Sequence, residues 1–532
     1  MTSPHGIELA VHLISTYFGD IVSKVCECLL RKGTLSLAQV RKYTEMKDVT
    51  VKNALLVLIQ HNCVQAFNLQ VSGGFGEAPK IVTQYMALHD NIIHHMRFPK
   101  FLAIVLDEFG KECMEIIEGL LQHGSLSLKL ITDRYKDKHK ANATSEENST
   151  AAIVLHENFN KLAHARYIER CPAHEPFLPP EEDAPKKRTA RSRMGDGPLT
   201  VEARALAAAA PMESLRFLVE VDACGNGAAD DDDDSNKCPT TGIVGEKRKQ
   251  PEAEVWATNQ NKEILWRVNF EEFMRRLRHK ACVSHVTTRL DSVAGIVLSA
   301  IFEAGRKEET KVKMEKTVPL PLETVFEEAM KSEEGRSLTL ERVRASLVQL
   351  GCELPTIGID ETYSIDLKKI IDQAQAQEVE SIVLKKYGRE AYRIFRLLLE
   401  RERLYDTDKI SNTTFVEKKD ALKILFQLWK DDFLHMERLG NDAAQKSEIL
   451  LWKLNKRSLW EQVLDDMYHA ALNLKLRLVH ELEQAKDILR VLKGKTVGDE
   501  VMQKRKRVGD KWKVLESSLM ILDDAILLFH DF

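Results

Sequence analysis

The chain has 532 residues, of which 44% are hydrophobic and 30% are charged. At ~150 residues per domain this length predicts roughly three to four domains, and the apolar fraction is large enough to exclude wholesale disorder. The formal net charge of −4 excludes a polycation built to coat nucleic acid, so any DNA contact has to come from local basic patches. Glycine (25) and proline (15) are scarce, which favours helices over turn-rich β architectures.

Three further features predict an intracellular protein without membrane contact. No apolar run approaches the ~18 residues that a membrane-spanning helix needs. The segment Met1–Gly6 lacks the basic and then apolar layout of a signal peptide. The nine cysteines are scattered without the spacing of a zinc knuckle, which predicts free thiols in a reducing compartment and no metal site.

The amino-terminal third contains an internal repeat. The stretch Leu29–Leu37 (LLRKGTLSL) recurs as Leu120–Leu128 (LLQHGSLSL), and each copy ends an amphipathic helix at a glycine before two further helices. In the first copy, strand patterns at Phe67–Val71 and Ile81–Leu88 follow, joined by a glycine-rich turn. Three helices and a β-hairpin are typical of a winged helix. The hairpin of the second copy is cut short by Pro172.

The same order of elements returns twice in the second half of the chain. A long helix over about 279–302 and a third helix over about 340–350 precede one pair of strand patterns. A helix over about 378–404, and a third helix with its apolar face between Leu422 and Trp429, precede another pair. The predicted fold class is therefore mainly α with small β-hairpin wings, organised as four tandem winged-helix domains.

Proline placement sets a linker apart. Nine of the fifteen prolines fall between Pro172 and Pro251, together with an alanine run (207–210) and five consecutive aspartates (230–234). Such a stretch cannot bury enough apolar area to offset its chain entropy, so we predict that it is disordered. Two basic clusters within it are candidate nuclear-import signals and predict a nuclear location. Their residues are Lys186, Lys187, Arg188, Arg191, Arg193, Lys247, Arg248 and Lys249.

The last part of the chain predicts a helical hairpin. No proline follows Pro355, and apolar residues recur at heptad spacing on both sides of a glycine-bearing turn at about 493–499. Two helices joined by so short a turn are expected to fold back as an antiparallel coiled coil. The candidate seam residues are Leu464, Leu474, Leu478, Trp512, Leu515 and Leu519.

These patterns divide the chain into six segments. The predicted boundaries are 1–90 for the first winged helix, 91–171 for the second, 172–255 for the linker with its acidic and basic runs, 256–370 for the third winged helix, 371–457 for the fourth and 458–532 for the coiled-coil hairpin.

The sequence lacks motifs for catalysis and for cofactor binding. It contains no GxxxxGK[ST] phosphate loop, no GxGxxG after a strand, no HExxH and no GxSxG. We therefore predict no catalytic residue, no metal ligand and no cofactor. The adjacent His94 and His95 are interpreted as a surface feature near a domain junction.

Basic patches are the remaining candidates for a functional site. Lysine and arginine side chains can contact DNA phosphates without reading base edges, which gives binding without sequence preference. The candidate DNA-backbone residues are Lys418, Lys419, Lys423, Arg275, Arg276 and Arg278. Two alternatives stay open for these patches, namely solvated helix faces and third helices that face protein partners.

Four stretches of the sequence resemble a known family. Residues 6–40 (GIELAVHLISTYFGDIVSKVCECLLRKGTLSLAQV), with VKNALLVLIQHNCVQAF at 51–67, resemble the amino terminus of the winged-helix subunit of eukaryotic RNA polymerase III. That subunit is the third of its C-series and is related to the alpha chain of transcription factor TFIIE. Residues 391–415 and 418–439 resemble the same family, and so does the order of two winged helices, linker, two winged helices and coiled coil. The resemblance leaves out about 172–255.

The resemblance implies a non-catalytic polymerase subunit with no catalytic residues to carry over. It implies a heterotrimer with two other specific subunits, docked on the clamp of the largest subunit near upstream DNA. It also implies contact with the initiation factor, nonspecific contact with DNA, and assistance to promoter opening in the nucleus.

Two other classes of protein remain open from the sequence alone. A winged-helix scaffold of another large assembly, cullin-like or proteasome-lid-like, would be distinguished by the partners that co-purify with the chain. An enzyme whose site is assembled from unremarkable residues would be revealed by a substrate screen.

Overall fold

The structure is a computed structural model. It describes residues 3–71, 80–139, 145–178, 200–219, 263–309, 313–352, 362–401, 403–439, 449–492 and 499–532. The chain forms two compact units, and each is described by itself. The larger unit comprises Met1–Leu58, Met86–Pro99 and Phe270–Phe532, and the smaller unit comprises Ile59–Tyr85 and Lys100–Asn269.

The described residues are mostly helical. In chain order the helices are α1 (Pro4–Phe18), α2 (Asp20–Lys32), α3 (Leu37–Thr44), α4 (Asp48–Gln60), α5 (His89–His94), α6 (Phe98–Phe109), α7 (Lys111–His123), α8 (Leu128–His139), α9 (Ser145–His164), α10 (Val201–Ala209), α11 (Glu213–Arg216), α12 (Phe270–Arg289), α13 (Ser292–Gly305), α14 (Leu322–Lys331), α15 (Leu340–Gln349), α16 (Leu367–Tyr387), α17 (Arg389–Arg401), α18 (Thr407–Thr414), α19 (Lys418–Lys430), α20 (Lys456–Leu492) and α21 (Asp499–His530).

The strands are short and form small sheets. In chain order they are β1 (Leu35–Ser36), β2 (Val64–Val71), β3 (Lys80–Ala87), β4 (Leu126–Ser127), β5 (Ile168–Arg170), β6 (Phe177–Leu178), β7 (Leu265–Val268), β8 (Leu320–Pro321), β9 (Thr362–Tyr363), β10 (Tyr405–Asp406), β11 (His435–Leu439) and β12 (Ile449–Lys453). The mainly helical class with small sheets, predicted from the scarcity of glycine and proline, is confirmed.

One backbone plan recurs along the chain. In three places a glycine with positive φ separates the first of the three winged-helix helices from the helix that precedes it, because the backbone must turn sharply there and glycine bears no Cβ. These glycines are Gly19, Gly110 and Gly388. A residue other than glycine adopts the left-handed conformation just after the third helix of the same copies. These residues are Asn62, Arg166 and Asp432. A positive φ is uncommon in residues other than glycine, so the equivalent placement of these three supports a repeated backbone plan. The stretches predicted as winged helices at 1–90, 91–171, 256–370 and 371–457 are called the first to fourth modules below.

The second module completes its sheet with a strand from beyond the linker. In the smaller unit β7 pairs antiparallel with both β4 and β5, placing Trp266 opposite Leu126 and Val268 opposite Ile168. Trp266 is buried, and its ring meets Phe159 edge to face. The predicted boundaries at 171 and 256 are therefore wrong for this strand. The alternation of apolar and polar side chains in β7 predicts a strand. Only its long-range pairing shows which module's sheet the strand joins.

The prediction that all of 172–255 is disordered is wrong for two stretches. Strand β6 pairs in parallel with β2, with Leu178 opposite Leu69. Helix α10 begins at a Thr200 side-chain cap and buries Ala205 and Ala209. Alanine is the strongest helix former, so this alanine-rich stretch, predicted to be disordered, supplies a small buried helix face. Short α11 follows, and its Arg216 contacts Glu169 of the second module at 2.5 Å.

The third module contains two helices where the sequence predicted one over 279–302. Asp291 accepts a hydrogen bond from the backbone N–H of Ala294 at 2.7 Å and caps the start of α13. A capping carboxylate satisfies an orphan amide and so starts a new helix. The core of this module includes Val297, Leu347 and Ile365. The first of the two strand patterns predicted after the third helix, at Ile357 and Ile359, lies outside the described residues.

The fourth module carries a three-stranded sheet of order β10–β12–β11. Trp452 on the central strand is fully buried and donates from its indole N–H to the Thr407 hydroxyl at 2.9 Å. This hydrogen bond satisfies the one polar atom of a large core residue. It also fixes the sheet to the start of α18, and thereby sets the position of α19.

The two longest helices, α20 and α21, pack against each other, and α20 also packs against α1. Of the predicted seam residues, Leu478 and Leu519 are buried and Leu464, Leu474 and Leu515 are half-buried. Trp512 is 41% exposed, so its assignment to the seam is wrong. The face of α20 is shared with α1, which is why heptad spacing alone does not predict every buried position.

In the described part of the chain, none of the helices is both long enough and apolar enough to cross a membrane. The described cysteines are free, and burial raises the pKa of the Cys26 thiol to about 12.

Candidate nucleic-acid interface

The exposed face of α19 carries a stripe of basic and polar side chains. Lys419, Lys423, Gln427 and Lys430 recur at i, i+4, i+8 and i+11, a spacing that places residues on one side of a helix. All four are exposed. On the opposite side Ala421, Leu425 and Leu428 are buried in the module. The stripe therefore faces solvent as a ridge of positive charge, and we call it the lysine stripe.

Two of the predicted DNA-backbone lysines have acidic neighbours. The amine of Lys423 donates to Asp420 at 2.9 Å, and that of Lys418 donates to Asp408 at 2.5 Å. These hydrogen bonds raise the pKa of both amines, so both stay charged at neutral pH. Because the pairs are solvent-exposed, each carboxylate can be exchanged for a phosphate oxygen at little cost.

The carboxyl end of α19 is anchored to α16. The Tyr387 hydroxyl donates to the carboxylate of Asp431, and the Lys386 amine lies 3.1 Å from the same group. Burial, and then the bond to Asp431, raises the pKa of Tyr387 to about 12. The bond from Tyr387, followed by that from Lys386, lowers the pKa of Asp431. This contact fixes the carboxyl end of α19, and with it the lysine stripe, relative to α16.

An exposed aromatic residue stands in the turn before α19. Phe415 has a positive φ and 91% of its surface is exposed. An aromatic ring beside basic side chains is a common arrangement where proteins meet unpaired bases. Sequence reasoning missed Phe415, because an isolated phenylalanine between two helices gives the same pattern as a core residue.

The arginines Arg275, Arg276 and Arg278 do not form a surface patch. Arg275 and Arg278 are buried, and Arg275 donates to the equally buried carboxylate of Glu272. Arg276 contacts Glu303 at 2.5 Å, and Arg278 donates to a backbone carbonyl oxygen at 2.7 Å. The prediction that this trio contacts DNA does not fit this placement. Acidic residues on the same helix and on or just after α13 draw the guanidinium groups of Arg275 and Arg276 inward, which a count of basic residues does not reveal.

The histidines His94 and His95 are buried in the larger unit, so their interpretation as a surface feature is wrong. His94 faces the guanidinium of Arg97 at 3.0 Å. Burial, and then the charge of Arg97, lowers the pKa of His94 to about 3. A neutral imidazole beside a buried arginine belongs to an internal polar cluster, which the local sequence could not distinguish from a surface pair.

The candidate nuclear-import residues lie outside the described residues. They are Lys186, Lys187, Arg188, Arg191, Arg193, Lys247, Arg248 and Lys249.

The helices, wings and lysine stripe define a winged-helix protein with a basic third helix in its last module. Comparison with family models supports this class. The model described as the RNA polymerase III subunit RPC82 helix-turn-helix domain matches residues 8–69. The model described as RNA polymerase III subunit RPC82 matches residues 157–380, and the POLR3C C-terminal winged-helix domain matches residues 379–454.

Curated relatives extend the likeness to almost the whole chain. DNA-directed RNA polymerase III subunit RPC3 of Rattus norvegicus is 23% identical over 515 residues, covering 91% of this chain and 85% of the relative. The protein of the same name from Homo sapiens is 23% identical over 496 residues. The Dictyostelium discoideum protein is 20% identical, and the alignment covers 99% of this chain and 99% of the relative. The chain is therefore similar over most of its length to RNA polymerase III subunits named RPC3, and the predicted resemblance is confirmed.

Proposed function

We propose that the chain is a non-catalytic subunit of RNA polymerase III that acts in the nucleus. Support comes from the family match, which extends over three separate stretches of the chain. The absence of a nucleotide-binding motif from the sequence is consistent with catalysis by other subunits.

The lysine stripe is the observation that carries the proposed contact with DNA. Lysine amines are flexible point charges that neutralise phosphates and release counterions, but they do not give the bidentate geometry with which side chains read base edges. The fourth module thus holds the DNA backbone without sequence preference. Phe415 lies in the turn just before the same helix, where an unpaired base would find a stacking partner.

The third helix of the first module has a different exposed face. On α4 the side chains of Val49 and Leu56 are 68% and 64% exposed, although both are apolar. Exposed apolar side chains on one helix face are typical of contacts with protein partners. We assign this module to subunit contacts within a heterotrimer on the clamp of the largest subunit, and the fourth module to DNA. With one module bound to protein partners and another to DNA, the chain would contact the initiation factor and assist promoter opening.

The helices α20 and α21 are proposed to form an antiparallel coiled-coil hairpin that braces the modules. Support comes from the burial of Leu478 and Leu519 and from the packing of α20 on α1. Pairing within one chain costs less entropy than recruiting a second copy.

The composition of the native complex tests the assignment. The chain is tagged at its chromosomal locus, purified at moderate salt and analysed by mass spectrometry. We expect the full set of RNA polymerase III subunits in stoichiometric amounts. Recovery of cullin or proteasome-lid subunits instead would identify a scaffold of another assembly.

A further inference from the structure

Three potential metal ligands meet in the larger unit. His89 and Asp90 begin α5, and His530 is the last residue of α21. The Nδ1 atom of His89 lies 3.6 Å from Oδ1 of Asp90, and Nε2 of His530 lies 3.2 Å from the same oxygen. One ligand atom from each of the three residues lies within 4.8 Å of the other two.

These distances fit a tetrahedral metal. Zinc binds histidine nitrogen and carboxylate oxygen at about 2.0–2.2 Å, so neighbouring ligand atoms of a tetrahedral site lie roughly 3.3–3.5 Å apart. The distances of 3.6 Å from His89 to Asp90 and 3.2 Å from His530 to Asp90 lie close to that range.

A second carboxylate orients His530. Its Nδ1 atom lies 3.2 Å from Oδ2 of Asp531, and the guanidinium of Arg97 contacts that oxygen at 2.7 Å. A carboxylate beside the far nitrogen of a ligand histidine fixes the tautomer and makes the metal-facing nitrogen more basic. Asp531 is itself buried and cannot swing away to solvent.

The charge of the cluster matches a divalent cation. Asp90, Asp523 and Asp531 supply three negative charges, and Arg97 supplies one positive charge. With neutral histidines the cluster carries a net charge of −2, which a divalent ion cancels. The side chain of Asp90 is 72% exposed, so an ion has a path from solvent and a water can take the fourth position.

We propose that His89, Asp90 and His530 bind a divalent transition metal, with Zn²⁺ the best match to a ligand set of two imidazoles and one carboxylate. The ion joins the start of α5 to the end of α21 and leaves one position for water.

The proposal contradicts the sequence-based prediction of no metal ligand. His530 stands far from the other two ligands in sequence, so spacing motifs could not reveal the set. The proposed metal site does not depend on the proposed role in transcription.

The same three residues can form a different arrangement. A doubly protonated His530 between Asp90 and Asp531 would be an ion-paired cluster that has no need of a metal. The two arrangements predict opposite results when metal is supplied, since a protonated imidazole cannot coordinate an ion.

Metal titration of the purified full-length chain separates them. The protein is stripped with chelator, dialysed, and titrated with Zn²⁺ by calorimetry, and then with Co²⁺ by visible absorbance. We expect one equivalent to bind, with the absorbance of a four-coordinate Co²⁺ site, and a rise in melting temperature with added Zn²⁺.

Three variants define the ligands. D90A, H89Q and H530Q should each lose at least tenfold in affinity for Zn²⁺, whereas H435Q, at an exposed histidine of the fourth module, should bind as the wild type does. D90A keeps the test decisive even if a histidine variant fails to fold, because Asp90 is exposed. No stoichiometric binding, or binding that D90A and the folded histidine variants leave unchanged, would overturn the proposal.

Discussion

Arg97 donates from Nε to the carboxylate of Asp523 at 3.0 Å, and both side chains are withdrawn from solvent, with exposures of 0% and 2%. Arg97 follows α5, and Asp523 lies in α21, so the pair joins segments separated by most of the chain. Asp531 contacts a second nitrogen of the same guanidinium. Burial opposes the charge of Arg97, but the two carboxylates outweigh it and raise the pKa of the guanidinium. A buried ionic contact therefore joins the segment after α5 to the end of α21 within the larger unit.

Replacing Arg97 with methionine should destabilise the larger unit by about 3–5 kcal/mol, because two buried carboxylates lose their partner. Urea denaturation of the full chain measures the loss. The matched control is Arg41→Met, which breaks an ion pair with Asp48 whose two side chains are about half exposed. That change should cost less than about 1 kcal/mol. Equal losses in the two variants would contradict the role assigned to Arg97.

His94 should make the stability of the larger unit depend on pH. Its pKa is about 3 in the folded protein, against 6.5 for the free side chain. Between these values the unfolded chain binds one more proton, so stability falls as pH falls from 6.5, by about 1.4 kcal/mol per pH unit. Urea midpoints of the wild type should therefore drop more steeply between pH 6.5 and 5 than those of His94→Asn. Parallel pH profiles would show that His94 is protonated in the fold.

The packing of α20 is tested by two leucines one helical turn apart. Leu478 is buried and Leu482 is exposed, although both lie on the same helix. Leu478→Asp should cost several kcal/mol, since it buries an unpaired charge, and should reduce incorporation into the native complex. Leu482→Asp should leave stability and incorporation close to wild type. If the purified wild-type chain proved a stable dimer that Leu478→Asp makes monomeric, the intramolecular hairpin would be refuted.

The lysine stripe should set the salt dependence of DNA binding. Changing Lys419, Lys423 and Lys430 to glutamine together should weaken binding to duplexes of unrelated sequence by similar factors, and should lower the slope of log affinity against log salt by up to about three. Val49→Asp with Leu56→Asp on α4 serves as the control and should leave DNA binding unchanged. A loss confined to one DNA sequence would instead indicate base readout.

The helices of the modules were predictable because their signals are local. The repeated LLxxGxLSL stretches and the apolar faces near Val343, Leu347 and Leu425 depend on residues within a few turns of one another. The third helix predicted over about 340–350 matches α15. The long helices predicted over about 279–302 and 378–404 were placed too late, since α12 begins at Phe270 and α16 at Leu367. Each is also divided in two, by the cap at Asp291 and by the left-handed Gly388.

Features that depend on long-range contacts were not predictable. Strand β7 follows the linker in sequence but pairs with strands that precede it. The arginines at 275–278 turn inward because Glu272, Glu303 and Glu309 surround them, and Glu303 and Glu309 lie on or just after α13. The cluster around Arg97 draws on residues from both ends of the chain. Among the predicted DNA-backbone residues, the lysines of α19 are exposed as expected, because charged side chains on an amphipathic helix normally face water.

Transcription by a purified polymerase is the sharpest test of the proposed role in promoter opening. RNA polymerase III is prepared without this chain and assayed with its initiation factors on a closed duplex promoter and on the same promoter with a pre-opened bubble. We predict that adding the chain restores synthesis on the closed template by at least tenfold and has a much smaller effect on the open one. No gain on the closed template, or an equal gain on both, would contradict a role in promoter opening.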